Sequence, residues 1–150
     1  MTPITFDVIG LPKPQGSAKA FAVGGKARVT HSGGADFAAW RNAVSDAARR
    51  QAEVHGCLDG ALQLVCSFRF PMPKSRPKAV RERGIAWKTS APDRDKLDRC
   101  IGDALTAAGL IRDDALIAAG MSEKHEVTGW TGATITLRRL PDEWLPMEGL

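Results

Sequence analysis

The chain has 150 residues and a formal net charge of +4, with 25% charged and 43% apolar residues. That is ordinary for one globular domain with a core of its own. No apolar run approaches the ~20 residues of a membrane helix. The opening stretch, Met1-Thr-Pro-Ile-Thr-Phe-Asp, has no basic region ahead of an apolar core, so the expectation is a cytoplasmic protein without a membrane partner. The cysteines are Cys57, Cys66 and Cys100. An odd number without a CxxC pair argues against a disulfide framework and against zinc; Cys66 and Cys100 sit in apolar patterns and read as core thiols.

Ile4 to Gly10 places Ile4, Phe6 and Val8 in alternation, a strand ended by Gly10 and Pro12. A loop rich in Pro, Gly and Lys follows to Lys19. Ala20–Val23, Gly24-Gly25 and Lys26–Val29 then read as a small hairpin with a tight turn. Asp36 opens a helix to about Val54, with Phe37, Trp40, Ala43, Val44, Ala47 and Ala48 at helical spacing. From Ala61 to Phe70, Leu62, Leu64, Cys66, Phe68 and Phe70 alternate strictly, which predicts a half-buried strand. Pro71 to Ser90 holds three prolines and a run of cations, so the expectation is a long irregular loop. The second helix spans about Arg94 to Ala108, its apolar stripe formed by Leu97, Cys100, Ile101, Ala104, Leu105 and Ala108, with Gly109 as its C′ stop. Leu116 to about Glu126 and Ala133 to Leu140 read as two strands joined near Gly129–Gly132. The order predicts a single α+β domain over residues 1–140, with a mixed sheet and two main helices, and a tail over 141–150.

The chemistry-bearing residues flank the second helix. Pro92-Asp93-Arg94-Asp95 precedes and opens it, and Arg112-Asp113-Asp114 follows it. On a helical wheel Asp95, Arg99, Gly102 and Asp103 fall opposite the Leu97/Ile101/Leu105 stripe, and Asp95 and Arg99 are neighbours at i, i+4. From Gly109 back to Asp95 is about 21 Å of helix, and the five residues from Gly109 to Asp114 reach at most about 17 Å. Asp114 therefore meets Asp95 across a shared ion if Leu110–Asp114 runs extended back along the helix. Hard carboxylate oxygens favour Mg²⁺, with Mn²⁺ as a substitute. The same acids also fit a plainer account: aspartates favour a helix N-terminus for dipole reasons, and Asp113-Asp114 suits a turn.

Cations dominate the rest. Between Arg69 and Lys88 stand Arg69, Lys74, Arg76, Lys78, Arg81, Arg83 and Lys88 against Glu82 alone. Lys74, Arg76, Lys78, Arg81, Arg83 and Lys88, with Lys13, Lys19, Lys26 and Arg28 near the N-terminus, are candidate DNA contacts of the phosphate-binding kind; a solvated charged loop is the alternative. Trp87 lies within this cationic run, where it could stack on an unpaired base or simply pack. Trp40 reads as core. His31, His55 and His125 show no ligand or triad spacing and read as surface or loop residues.

At these motifs the chain resembles the RusA family of Holliday junction resolvases, found in phages and prophages. The family carries D-x-D-N-x-x-K at a helix start, then D-A-L-x-x-A-G, then D-D before a strand. Here the matching runs are Asp93-Arg-Asp-Lys-Leu-Asp-Arg, Asp103-Ala-Leu-Thr-Ala-Ala-Gly and Asp113-Asp114-Ala-Leu-Ile, with Gly10-Leu-Pro-Lys-Pro-Gln-Gly resembling the family's opening loop. The resemblance implies a homodimer in a bacterial host cell that binds four-way DNA junctions and cuts them with Mg²⁺. It makes Asp93, Asp95 and Asp114 the catalytic, metal-binding carboxylates, with Asp113 adjacent to them. The family's catalytic lysine falls on Arg99 and its usual asparagine on Lys96. Arg99 keeps the charge but holds its proton far more tightly, so either Arg99 or Lys96 supplies the cation. Two other readings stay open: a catalytically weak DNA-binding protein of the same fold, and a metal-dependent phosphohydrolase of small nucleotides.

Overall fold

The strict alternation of apolar side chains creates the strands and decides which face each one buries. The computed structural model describes residues 2–16, 19–23, 26–30 and 34–143, the two short stretches through their backbone alone. Strand β1 (Ile4–Ile9) buries Ile4, Phe6 and Val8 and exposes the residues between. β2 (Lys19–Val23) and β3 (Lys26–Thr30) form a separate antiparallel ribbon, as the Gly-Gly signal predicts. Helix α1 (Gly34–His55) follows, then β4 (Leu62–Pro71), α2 (Lys78–Arg83), β5 (Ile85–Trp87) and α3 (Arg94–Ala107). A single 3₁₀ turn (Asp114–Leu116) leads into β6 (Ile117–Val127), and β7 (Gly132–Arg139) closes the described fold.

Five strands form one sheet in the order β1-β7-β4-β6-β5. β4 and β6 run parallel, and every other pairing in it is antiparallel, so the sheet is mixed and the domain α+β. A parallel pair needs a crossover, and here it consists of α2, β5 and α3. The core lies between one sheet face and the two long helices. Trp40, Val44 and Ala48 of α1 and Leu97, Cys100, Ile101 and Leu105 of α3 pack with Phe6, Leu64, Cys66, Phe68, Ile135 and Leu137 of the sheet. The opposite face is polar, with Thr5 bonded to Thr136 and the Thr134 hydroxyl donating to Asp7. Cys66 and Cys100 are core thiols as expected, their pKa values raised by burial, that of Cys100 to about 12. None of the described helices is long and apolar enough to cross a membrane.

The expectation of an irregular loop over Pro71–Ser90 is corrected. Its prolines cluster at positions 71, 73 and 77, leaving the next stretch free to form regular structure. Pro77 is the N-cap of α2, a position that needs no backbone N–H. Gly84, at φ 83°, closes the helix in the left-handed conformation and donates its N–H to Val80. Ile85–Trp87 then pairs with His125–Val127 at the sheet edge. Beneath this segment Glu126 is buried, and Arg76 donates to it from Nε and Nη2 while Nη2 also reaches the Trp87 carbonyl.

Candidate active site

Helix α3 carries the candidate site because one of its faces is apolar and the opposite face lies against the entrance to β6. Asp93 is its N-cap by backbone geometry, accepting from the Leu97 N–H through its carbonyl, while its carboxylate makes no capping hydrogen bond. At the other end Gly109, at φ 77°, turns the chain, and Leu110 and Ile111 drop into the core. Ile111 pairs with Leu58, and Asp113 is extended, so the chain does run back beside the helix. It reaches Gly102. There the Asp114 side chain rests on the helix so closely that a Cβ on residue 102 would lie 3.3 Å from Asp114 Cβ.

Asp114 thus meets α3 seven residues past Asp95, about 10 Å along the axis. Its immediate neighbours are others. A groove of about 560 Å³ between α3 and β6 is lined by Arg94, Asp98, Arg99, Gly102, Asp114 and Ser122. Asp98 was missed by the sequence reading, although it stands at i+3 from Asp95 and therefore on the same face. The Ser122 hydroxyl donates to Asp98 Oδ2 at 2.9 Å, and Asp98 Oδ1 is buried without a partner. Arg94 Nη1 donates to the Ser122 carbonyl at 3.0 Å, tying the helix start to β6.

The groove sets two aspartates against Arg94 and Arg99, and each aspartate is raised by its own neighbours. Burial raises the Asp98 carboxyl above its ordinary range, against the opposing pull of the Ser122 hydroxyl and Arg94, and Asp95 adds to the rise. A hydrogen bond shared with Asp113 raises Asp114, with desolvation and Asp103 acting in the same direction. Asp113 is held low instead, because its carboxylate accepts the Ala115 N–H at 2.9 Å as the cap of the 3₁₀ turn. Two carboxylates raised above their ordinary range, one with a buried oxygen that has no donor among the described residues, suit a hard cation. Among the described residues no three acidic or other ligating side chains already converge on one point. Mg²⁺ is commonly held by one or two carboxylates together with water and substrate phosphate, and Asp98 and Asp114 offer such a pair.

Asp93 and Lys96 border a second cavity, of about 620 Å³, with Lys13, Phe70 and Lys88. The N-terminal loop is docked there by the Gln15 N–H, which donates to the Lys96 carbonyl at 3.0 Å. Lys124, also unforeseen, donates to the Ser90 and Pro92 carbonyls and fixes the approach to α3. Asp93 and Asp114 therefore lie in different cavities, with Asp95 between them along the helix.

These two cavities, one with aspartates and arginines in equal number and one basic, are lined in part by the segment that holds the D-x-D and D-D motifs. The endodeoxyribonuclease RusA family matches residues 10–138. The chain belongs to the RusA family. Family membership makes it an endodeoxyribonuclease, with DNA as its partner. No curated protein matches the chain. Within this RusA domain the candidate DNA contacts separate into distinct groups. Arg76 is engaged with Glu126, and Lys78 pairs with Glu82. Arg81 and Arg83 each donate from Nε to a backbone carbonyl, of Arg76 and Ile85, and their side chains remain exposed. Lys74 is exposed, and Lys88 lies 5.0 Å from the centre of the Phe70 ring. The side chains of Lys19, Lys26 and Arg28 lie outside the described residues, as do His31 and Trp144. His125, read as a surface or loop residue, is instead half-buried in β6 and stacked on Trp87.

Proposed function

We propose that the chain is a Mg²⁺-dependent endonuclease that resolves four-way and other branched DNA junctions as a homodimer. The observation that carries the reading is the groove that Asp98, Arg99 and Asp114 line together, with a lysine-rich cavity at the start of the same helix. Asp98 and Asp114 would hold the cation. Asp93, Asp95 and Asp114 are the carboxylates that the family pattern selects, and Asp113 stands next to Asp114 as the cap of the 3₁₀ turn. A bound divalent cation supplies Lewis-acid polarisation of the scissile phosphate and of a water molecule. Arg99 faces the same groove and stabilises charge that develops on the phosphoryl oxygens. Lys96, Lys13 and Lys88 hold the backbone alongside. Two such sites in a two-fold dimer match the near two-fold symmetry of a junction.

Cleavage of a synthetic four-way junction in Mg²⁺ tests the proposal. Asp114→Asn is expected to lower the rate about a hundred-fold or more while junction binding persists. Undiminished cleavage by that variant would overturn the site. Arg99, standing where the family has lysine, favours a second reading of a junction binder that cuts slowly. Binding without nicking by the wild-type chain, restored to cutting in Arg99→Lys, distinguishes it.

A further inference from the structure

Trp87 has no task in the groove between α3 and β6. It is the last residue of the edge strand β5, and its side chain is 63% exposed although it is the largest apolar group on that edge. One face of the indole is covered: the His125 ring stacks on it with centroids 4.7 Å apart and planes 29° from parallel. His125 is in turn held by Glu123, 3.0 Å from Nε2. The tryptophan is therefore braced from one side and open on the other. It borders a shallow cavity of about 300 Å³ with Arg83, Ile85 and His125.

We propose that the Trp87–His125 pair is a stacking platform for one unpaired base of the branched substrate. The inference rests on the nuclease reading and adds to it a place where the branch point is recognised. Charge identifies the occupant. Lys88, the next residue, points to the other side of β5, into the basic cavity that also holds Lys13 and Lys96. Arg83 flanks the indole itself. A strand with phosphates on Lys88 and Arg83 would present a base to the ring between them. Stacking tolerates any base because every base has a π-face, and it needs a base that can leave its pair, which costs less at a branch point, where the helical stack is interrupted, than inside a matched duplex. A three-residue strand flanked by cations is a poor template for adding another β-strand.

The test compares wild type, Trp87→Ala and Trp87→Phe on a four-way junction carrying 2-aminopurine at the branch point and on a matched duplex, in Ca²⁺ to prevent cutting. Trp87→Ala is expected to weaken junction binding about ten-fold or more and to abolish the 2-aminopurine response, with duplex binding unchanged. Trp87→Phe is expected to restore most of both, with melting temperature and oligomeric state equal across the three proteins. Equal loss on junction and duplex, no loss on either, or a shift from dimer to monomer in Trp87→Ala each overturns the platform while leaving the nuclease reading intact. Failure of the wild-type chain to bind any DNA overturns both.

Discussion

Asp98 concentrates the conflict between stability and function in one side chain. Its carboxyl is pushed above the ordinary range chiefly by burial, so in the folded protein the charged form is disfavoured. A raised carboxyl binds more protons in the native state than in the unfolded one, and stability falls as pH rises from the unfolded value, near 3.8, through the folded one. Replacing the charge with an amide removes that penalty while Ser122 can still donate to the remaining oxygen. Asp98→Asn is expected to stabilise the chain by about 1 kcal/mol at neutral pH, the gain vanishing in acid below the unfolded carboxyl pKa. Denaturant melts at pH 7 and pH 3 check the sign. The same variant is expected to bind Mn²⁺ more weakly, as read by titration calorimetry. Asp98 was within reach of the sequence, at i+3 from Asp95, yet nothing in the pattern distinguished it from an ordinary surface acid. The difference comes from Ser122, a residue 24 positions away that closes over it.

At the scale of elements, α3 and the segment after it act as one device. Gly102 is needed because Asp114 occupies the space a side chain would take. Alanine there is favoured by helix propensity by about 1 kcal/mol, and the exposed 3₁₀ turn can shift by the few tenths of an ångström required. Gly102→Ala is therefore expected to leave the melting point within a few degrees while lowering cleavage about ten-fold, because Asp114 moves from its place. A larger loss of stability than of rate would contradict this account of Gly102. The second helix was legible from its apolar stripe and glycine stop, which are local properties. Segment 71–90 was not. Its regularity depends on Arg76, whose guanidinium is anchored by buried Glu126 from β6. Arg76→Ala leaves that carboxylate unpaired and is expected to cost about 2 to 3 kcal/mol of stability, measured by urea denaturation, whereas Arg81→Ala is expected to cost little.

For the whole molecule, the modest charge of +4 matters through its placement. Arg76 and Lys78 are engaged by Glu126 and Glu82, while Lys13, Lys88 and Lys96 border one cavity and Lys74, Arg81 and Arg83 are exposed along the neighbouring segment. Junction affinity is expected to fall with salt, and each of Lys88→Ala and Lys96→Ala to reduce the slope of log affinity against log salt by about 1. Arg76→Ala is expected to leave that slope unchanged once stability is allowed for.

Every strand but β5, the two long helices, the core thiols and the family were legible in the sequence, because alternation, helical periodicity and short motifs are written in adjacent residues. The tertiary structure alone decided which acids meet. Asp114 lands on Gly102 because Leu110 and Ile111 are drawn into the core beside Leu58, and that burial, not the spacing of the aspartates, sets the distance from Asp93 and brings Asp98 into the groove. It likewise decided that Trp87 rests on His125, since the two residues are brought together by strand pairing across 38 positions of chain.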